Sequence, residues 1–194
     1  MRALVSILLV VISIEKSNAQ DVWKLVKDEG GIEVYVGKLA TSDYVAFKAV
    51  MSLKTTKTAI VNVLKEVAKY PEWFAFTAST RLISQPDNEQ SFFMETDYPW
   101  PFSNECMNYK MSFEKFQDDN LKVAITAIDG TMKCKYSLKK ASGYILLKTE
   151  NERIRITYYF HSEPSQHIPP WLINPKIHEM PFQTFKALQK RLNN

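Results

Sequence analysis

Six successive segments in the middle of the chain alternate apolar and polar side chains. Turn residues such as QPDN, QDDN and ASG separate them. In one of the six segments, residues 106–116, the side chains of Met107, Tyr109, Met111 and Phe113 share a face. A period of two is the pattern of β-strands that bury one face. Because no linker interrupts the series, it predicts an antiparallel meander within a single domain.

Two further strands and two helices complete the predicted fold. Residues 30–39 and 43–53 alternate as strands, and the first of them opens on turn glycines. Apolar residues then recur at helical spacing over residues 60–67, and Pro71 is expected to end that helix. A C-terminal amphipathic helix is predicted to start at Pro181, a favoured first position. Its buried face is expected to carry Phe182, Phe185, Leu188 and Leu192.

Two prolines follow the fourth predicted strand, in the segment DYPWPFSN, residues 97–104. Proline lacks the backbone N–H that a strand ladder needs. We therefore expect Pro99 and Pro101 to bend or interrupt the sheet before the next strand. A strongly bent sheet that wraps the C-terminal helix leaves space between the two, and soft side chains such as Met107 and Met111 adapt to irregular contents. The alternative is that these side chains fill an ordinary core.

The first nineteen residues are predicted to be a signal peptide. Arg2 precedes the apolar run ALVSILLVVISI, and Ser17 and Ala19 have the spacing that a signal peptidase prefers. A membrane anchor is the alternative, but the run is shorter than the roughly 20 residues that span a bilayer. We expect an exported protein, periplasmic or secreted, with residues 20–194 as its one domain. Mass spectrometry of the mature protein should find Gln20 at its N-terminus, and a chain that retains Met1 would contradict this.

The charge and the cysteines set further bounds. A net charge of +4 on 194 residues is too mild to predict a nucleic-acid partner. Cys106 and Cys134 are expected to be two small buried thiols. A disulfide between them is the alternative that an oxidising compartment would allow.

The residues expected of an enzyme or a metal site are sparse. His161, Glu163 and His167 invite a zinc interpretation, but their spacing matches no zinc motif, and solvated loop histidines are the expectation. The chain lacks a G-x-S-x-G nucleophile motif and has only 5 glycines, so a phosphate-cradling loop is not predicted. We therefore expect no catalytic residue, no metal and no cofactor.

Three segments resemble a known family. DYPWPFSN resembles the proline-rich segment of START domains, the steroidogenic acute regulatory-related lipid transfer family of the Bet v 1-like superfamily. Residues 23–36, WKLVKDEGGIEVYV, resemble that family's opening segment, and residues 158–181, YYFHSEPSQHIPPWLINPKIHEMP, its C-terminal signature. The resemblance implies an α+β helix-grip fold, in which a curved antiparallel sheet wraps around a long C-terminal helix and encloses a hydrophobic cavity.

The resemblance also implies a function and a set of site residues. We expect a monomeric, non-enzymatic protein that binds a lipid or another hydrophobic small molecule and carries it between membranes. Separately, the cations on the outer face of the last helix, Lys186, Lys190 and Arg191, are expected to make transient contact with anionic headgroups. Some family members pair an acid at the position of Glu95 with an arginine, where this chain has Met111. Glu95 is therefore expected to find another partner, to stay protonated or, as we predict, to contact the polar end of the ligand. The predicted lipid-binding residues are Phe93, Glu95, Trp100, Tyr109, Met111, Phe113, Tyr159, Trp171, Phe182, Phe185 and Leu188.

Two departures from the family pattern leave the ligand class open. Family members commonly continue Ser-Asn with Arg-Asp, whereas this chain has Glu105 and Cys106. The usual Asp-Pro-Gly-Gly turn is replaced by Glu-Pro-Ser-Gln at residues 163–166. A second class of function is a cyclase or aromatase that acts on a polyketide-like substrate, with Glu95 and Asp97 as a proton-transfer pair on one strand face. A third is an interaction module with a filled core.

Overall fold

The computed structural model of the protein describes residues 23–130 and 132–193, so the predicted signal peptide lies outside the described residues. The strands are β1 (Lys24–Glu29), β2 (Ile32–Leu39), β3 (Ser42–Leu53), β4 (Thr77–Ser84), β5 (Glu89–Thr96), β6 (Glu105–Phe116), β7 (Asn120–Ile128), β8 (Lys140–Glu150) and β9 (Arg153–Glu163). The α-helices are α1 (Lys57–Lys65), α2 (Tyr70–Trp73), α3 (Pro170–Ile173) and α4 (Glu179–Leu192). Among the described helices, none has the length and apolar content that crossing a bilayer requires.

The nine strands form one curved, unclosed antiparallel sheet in the order β1-β2-β3-β9-β8-β7-β6-β5-β4. This topology confirms the predicted meander and the α+β helix-grip fold. The prediction missed one strand, β1, in which most residues are exposed. An edge strand with little burial carries no alternation signal, and β1 is ordered by pairing with β2 across Gly30 and Gly31, whose φ angles of 61° and 77° suit a tight hairpin.

The helices differ from the prediction at their ends. The side chain of Thr56 caps α1 by accepting a hydrogen bond from the N–H of Ala59 at 3.1 Å. This helix ends at Lys65, well before Pro71, which lies in the short α2. Helix α4 begins two residues before the predicted Pro181. A proline fits there because the first N–H groups of a helix have no partner within it.

Helix α4 packs its predicted face on the sheet. Phe182, Phe185 and Leu188 are buried, and Leu192 is partly buried. The helix is also held by polar contacts, because the Thr184 hydroxyl accepts a hydrogen bond from the Ala75 N–H at 3.1 Å.

The charge on the outer face of α4 differs from the expectation. The Arg191 guanidinium forms ion pairs with Glu66 and Glu72, next to α1 and in α2. Lys186 and Lys190 are exposed. Arg191 therefore ties the end of α4 to the helical segment before β4. Its guanidinium is therefore less available than the two lysines for the expected membrane contact, which stays a prediction.

The proline segment does not interrupt the sheet. Strands β5 and β6 stay paired to their ends, where Thr96 lies opposite Glu105, and residues 97–104 form the loop that joins them. Pro99 and Pro101 thus lie beyond the ladder, where their missing N–H groups cost nothing. The expectation that they bend or break the sheet itself is wrong.

The two cysteines form a disulfide with an S–S distance of 2.12 Å, which corrects the expectation of two buried thiols. The bridge joins the start of β6 to the segment that leads into β8. Backbone hydrogen bonds reinforce the junction, because the Cys106 N–H donates to Tyr136 O at 2.9 Å and the Leu138 N–H donates to Cys106 O at 3.0 Å. The two cysteines are 28 positions apart in the sequence, so no local sequence pattern could have shown that they pair.

His161 is a further correction, because it lies on β9 and is buried instead of on a solvated loop. Its Nε2 atom is 3.1 Å from the Ser42 hydroxyl. Burial lowers the pKa of the imidazole below its ordinary value of 6.5, mainly because the charged form loses water.

This lowered pKa predicts a pH effect on stability. The unfolded chain binds the His161 proton more readily than the native state, so stability should be lost as the pH falls below about 6.5. Melting temperatures measured across that range should drop more for the wild type than for His161→Gln, whose amide can still bond Ser42. Equal pH slopes in the two proteins would contradict the prediction.

Candidate ligand-binding cavity

A cavity of about 70 Å³ lies between the concave face of the sheet, the segment around α2 and the start of α4. The sheet positions its walls through register, because Phe92 on β5 lies opposite Tyr109 on β6, and Met111 on β6 lies opposite Ile125 on β7. Residues opposite each other in adjacent strands project from the same face. The lining residues are Tyr70, Phe74, Ala75, Phe92, Met94, Thr96, Tyr98, Tyr109, Met111, Ile125, Leu138, Tyr158, Phe160, Ser162 and Met180.

The size of the cavity suits a short hydrocarbon segment, since sites for drug-sized ligands have volumes of about 300–1,000 Å³. Three of the lining side chains are methionines, Met94, Met111 and Met180. Their unbranched thioethers change rotamer at low cost, so these walls can yield to a larger guest. A second pocket of about 10 Å³ lies between α4 and the sheet, beside Phe185 and Leu188.

Tyrosine hydroxyls provide most of the polar character of the cavity. Burial raises the pKa of Tyr98, Tyr109 and Tyr158 above the ordinary value of 10.0, so all three are neutral at physiological pH. Within residues 23–130 and 132–193, their hydroxyls have no hydrogen-bond partner. Tyr70 differs, because its hydroxyl donates to Leu64 O and accepts a hydrogen bond from Gln90 Nε2 at 3.1 Å.

No described lining residue is an acid, a lysine, an arginine or a histidine. A charged group outside the lining, Glu105, still affects one of its residues. Burial is the main cause that raises the pKa of Tyr98, and the negative charge of Glu105 is the next. Glu105 itself is fully buried. The interior is therefore apolar, with neutral hydroxyls at a few places and a carboxylate behind one of them.

The two departures from the family pattern are in contact with each other through the carboxylate of Glu105. Its carboxylate accepts hydrogen bonds from the Ser165 N–H at 3.0 Å and from the Gln166 N–H at 2.8 Å. The Ser165 hydroxyl and Gln166 Nε2 donate to it as well, at 3.2 and 3.1 Å. The residue that replaces the family's arginine thus binds the residues that replace its two glycines. Sequence alone did not show that these departures are partners.

The cavity includes some of the predicted site residues. Tyr109 and Met111 line it, and Phe185 and Leu188 line the second pocket. Phe113 and Phe182 are buried in the surrounding core. For all six residues a role in lipid binding stays a prediction.

On β5 the prediction chose the wrong face. Phe93 and Glu95 project away from the cavity, whereas Phe92 and Met94 line it. Their sequence carried a signal, because Glu89, Phe93 and Glu95 share one face, and charged side chains mark the outer face of a strand. Because Phe92 and Phe93 are adjacent and equally hydrophobic, hydrophobicity alone did not show which of them faces the interior.

Glu95 is bonded outside the cavity. Its carboxylate accepts hydrogen bonds from the Ser79 hydroxyl at 3.0 Å and from Asn104 Nδ2 at 3.2 Å, and the same Asn104 amide donates to Asp97 at 3.0 Å. The expected contact between Glu95 and a ligand inside the cavity is therefore wrong.

The same error of face occurs on β9. Tyr159 stacks on Tyr144 on the other side of the sheet, with ring centroids 5.3 Å apart, whereas Tyr158 and Phe160 line the cavity. Arg153 and Arg155 alternate with the buried residues and mark the outer face that Tyr159 shares. Their positions could have assigned the strand correctly.

The two predicted tryptophans lie outside the cavity as well. Trp100 is 92% exposed in the loop between β5 and β6, and Trp171 is 73% exposed in α3. The loop that carries Trp100 is joined to the segment before α3, because the Ser103 N–H donates to Gln166 Oε1 at 3.0 Å and Gln166 Nε2 donates to Ser103 O at 2.7 Å. Neither tryptophan is among the residues that line the cavity.

Known proteins share this architecture. No protein-family model matches the chain. The crystal structure of a STAR-related lipid transfer protein from Xanthomonas axonopodis superposes with a TM-score of 0.82 and 31% identity, over 89% of this chain and 99% of that one. Human STARD10 superposes with a TM-score of 0.71 and 17% identity, over 87% of this chain and 71% of its own.

An enzyme shares the fold at greater distance. The aromatase/cyclase Zhui from Streptomyces sp. R1128 superposes with a TM-score of 0.52 and 10% identity, over 76% of this chain and 90% of that one. At such low identity the likeness concerns the fold alone. The similarity to the Xanthomonas protein extends over most of this chain and nearly all of the crystallised fragment of that protein. By this similarity and by its helix-grip fold the chain belongs to the STAR-related lipid transfer (START) family.

Proposed function

We propose that the protein binds a lipid in the cavity beneath α4 and carries it between membranes. The observation that carries this proposal is an apolar cavity walled by Phe92, Tyr109 and three methionines, with no charged residue among its described lining. The membership of the family supports it, because the similar Xanthomonas structure is that of a lipid transfer protein.

Native mass spectrometry of protein purified from cells tests the binding step. The wild type should carry a co-purified hydrophobic ligand. Ala75→Phe should lose most of it, because Ala75 lines the cavity and the added ring would fill a space of about 70 Å³. Ala78→Phe is the matched control, since Ala78 is exposed on β4. Wild-type protein without any ligand, or equal loading in Ala75→Phe and the control, would contradict the proposal.

The arrangement of acids favours a carrier over a cavity enzyme. The proposed proton-transfer pair, Glu95 and Asp97, is held by Asn104 outside the cavity. General acid–base catalysis needs a group that can reach the substrate and titrate near the working pH. The tyrosines that line the cavity have pKa values raised far from that range. Binding without chemistry is the function that these groups support best.

We also propose that the loop carrying Trp100 and the short helix α3 carrying Trp171 make the membrane contact. Tryptophan favours the bilayer interface, and both side chains are exposed. Transfer between vesicles should slow in the double variant Trp100→Ser/Trp171→Ser while the cavity stays loaded. Lys186→Glu/Lys190→Glu tests the outer face of α4 in parallel. If only the lysine variant slows transfer, the membrane contact is made by α4 and not by the segments that carry Trp100 and Trp171.

The Cys106–Cys134 disulfide supports our proposal that the protein is exported, since disulfides persist mainly in oxidising compartments.

A further inference from the structure

We propose that the cavity selects an uncharged amphiphile, whose hydroxyl or carbonyl oxygen is held by the hydroxyls of Tyr98, Tyr109 and Tyr158, and that it excludes ionised headgroups. This inference rests on the proposed lipid-binding function and names the chemical class of the ligand.

The first step of the argument concerns unmet hydrogen bonds. Tyr109 is 4% exposed and Tyr158 is 2% exposed, and both line the cavity. Neither hydroxyl has a hydrogen-bond partner in the described part of the chain. Both reach the cavity space, because the fully enclosed atoms without a partner there are Trp73 Nε1, Thr77 Oγ1 and Asn108 Oδ1. Buried polar groups in native proteins are almost always hydrogen-bonded. Tyr70, on the same cavity wall, follows this rule through Leu64 and Gln90. A ligand oxygen would complete the hydrogen bonds of Tyr109 and Tyr158 in the same way.

The second step concerns their arrangement. All three tyrosines line the same cavity. The rings of Tyr109 and Tyr158 both pack near that of Phe160, with ring centroids 6.3 and 6.1 Å from it. Tyr98 lies in the loop after β5, and Tyr158 packs against Phe185 of α4, with ring centroids 6.4 Å apart. The three residues therefore form part of one wall, from the loop after β5 to the sheet beneath α4, and the polar end of a ligand would meet this wall. Each hydroxyl can donate or accept, which suits an alcohol, a ketone or an ester.

The third step concerns charge. An anionic headgroup would find no described lysine, arginine or histidine in the lining, and it would approach the Glu105 carboxylate behind Tyr98. A cationic headgroup would find no free carboxylate, because the oxygens of Glu105 already accept hydrogen bonds from Ser165 and Gln166. An unpaired ion buried in such surroundings is strongly unfavourable. Neutral polar groups avoid this penalty.

A matched ligand series tests the selectivity. The delipidated full domain is loaded with the neutral fluorophore N-phenyl-1-naphthylamine, which 1-decanol, methyl decanoate, decanoate and decyltrimethylammonium then displace at neutral pH. The alcohol and the ester should displace it at concentrations about 100-fold or more below those of the two ions. The reason is that only the ions must give up the hydration of a charge when they enter the cavity. Displacement by decanoate or decyltrimethylammonium as readily as by decanol would overturn the inference.

Tyrosine variants test the recognition. In Tyr109→Phe/Tyr158→Phe the affinity for decanol and methyl decanoate should fall about tenfold, because hydrogen bonds to the ligand are lost. The melting temperature of the empty protein should stay equal or rise, since no internal hydrogen bond is removed. Tyr144→Phe, on the outer face of β8, should change neither quantity.

The outcomes separate this inference from the proposed function. Unchanged decanol affinity in the double variant would overturn the role of the tyrosines while leaving lipid binding intact. If neither the fluorophore nor any member of the series binds the wild type, the proposed function fails and this inference fails with it.

Discussion

Phe185→Asp is expected to leave the domain largely unfolded. Phe185 is 2% exposed, and it packs between α4 and the sheet against Tyr158. Removing a buried phenylalanine side chain costs about 3–5 kcal/mol, and burying an unpaired carboxylate adds several more. The sum approaches the whole stability of an ordinary domain, about 5–15 kcal/mol. Circular dichroism and urea unfolding of the purified variant measure the effect.

The control for this variant is Phe185→Leu, which keeps the site apolar and should cost only about 2 kcal/mol for the lost carbon atoms. A variant Phe185→Asp that unfolds at the same urea concentration as Phe185→Leu would contradict the prediction. That result would mean that α4 can leave the sheet without loss of the fold.

Glu105→Ala is expected to have the second largest effect on stability. The change removes the acceptor for the N–H groups of Ser165 and Gln166, and each such group left unpaired costs about 1–3 kcal/mol. The free energy of unfolding should therefore fall by about 2–6 kcal/mol. The loop between β9 and α3 should also exchange its amide hydrogens faster, which hydrogen-exchange mass spectrometry detects.

Glu105→Gln is the matched control for the carboxylate. Its amide keeps one oxygen acceptor at the same place, so half of the loss is expected, roughly 1–3 kcal/mol. If Glu105→Ala is as stable as the wild type and its loop exchanges no faster, the buried carboxylate does not hold that loop.

Much of the fold was predictable because it depends on local patterns. Period-two alternation identified eight of the nine strands, and the spacing of Phe182, Phe185 and Leu188 identified the buried face of α4. Local patterns identify a surface as buried. They do not tell which interior space it faces, so Phe113 and Phe182 of the surrounding core were grouped with residues that line the cavity.

The errors at the site have one physical origin on two strands. The side chains of a strand alternate strictly between its two faces, so an error of a single residue exchanges the cavity for the outer surface. In β5 and β9 two aromatic residues are adjacent, Phe92 with Phe93 and Tyr158 with Tyr159, and hydrophobicity cannot choose between them. The charged neighbours Glu89 and Arg155 held the information that was needed.

The sequence by itself determined the antiparallel meander, the amphipathic last helix and the family, because each depends on residues close together in the chain or on short motifs. Only the tertiary structure decided the Cys106–Cys134 bridge and the binding of Glu105 to Ser165 and Gln166, which join residues 28 and about 60 positions apart. It also decided which tyrosine hydroxyls enter the cavity without a partner. Such contacts depend on how distant strands meet in space, and no local periodicity records that meeting.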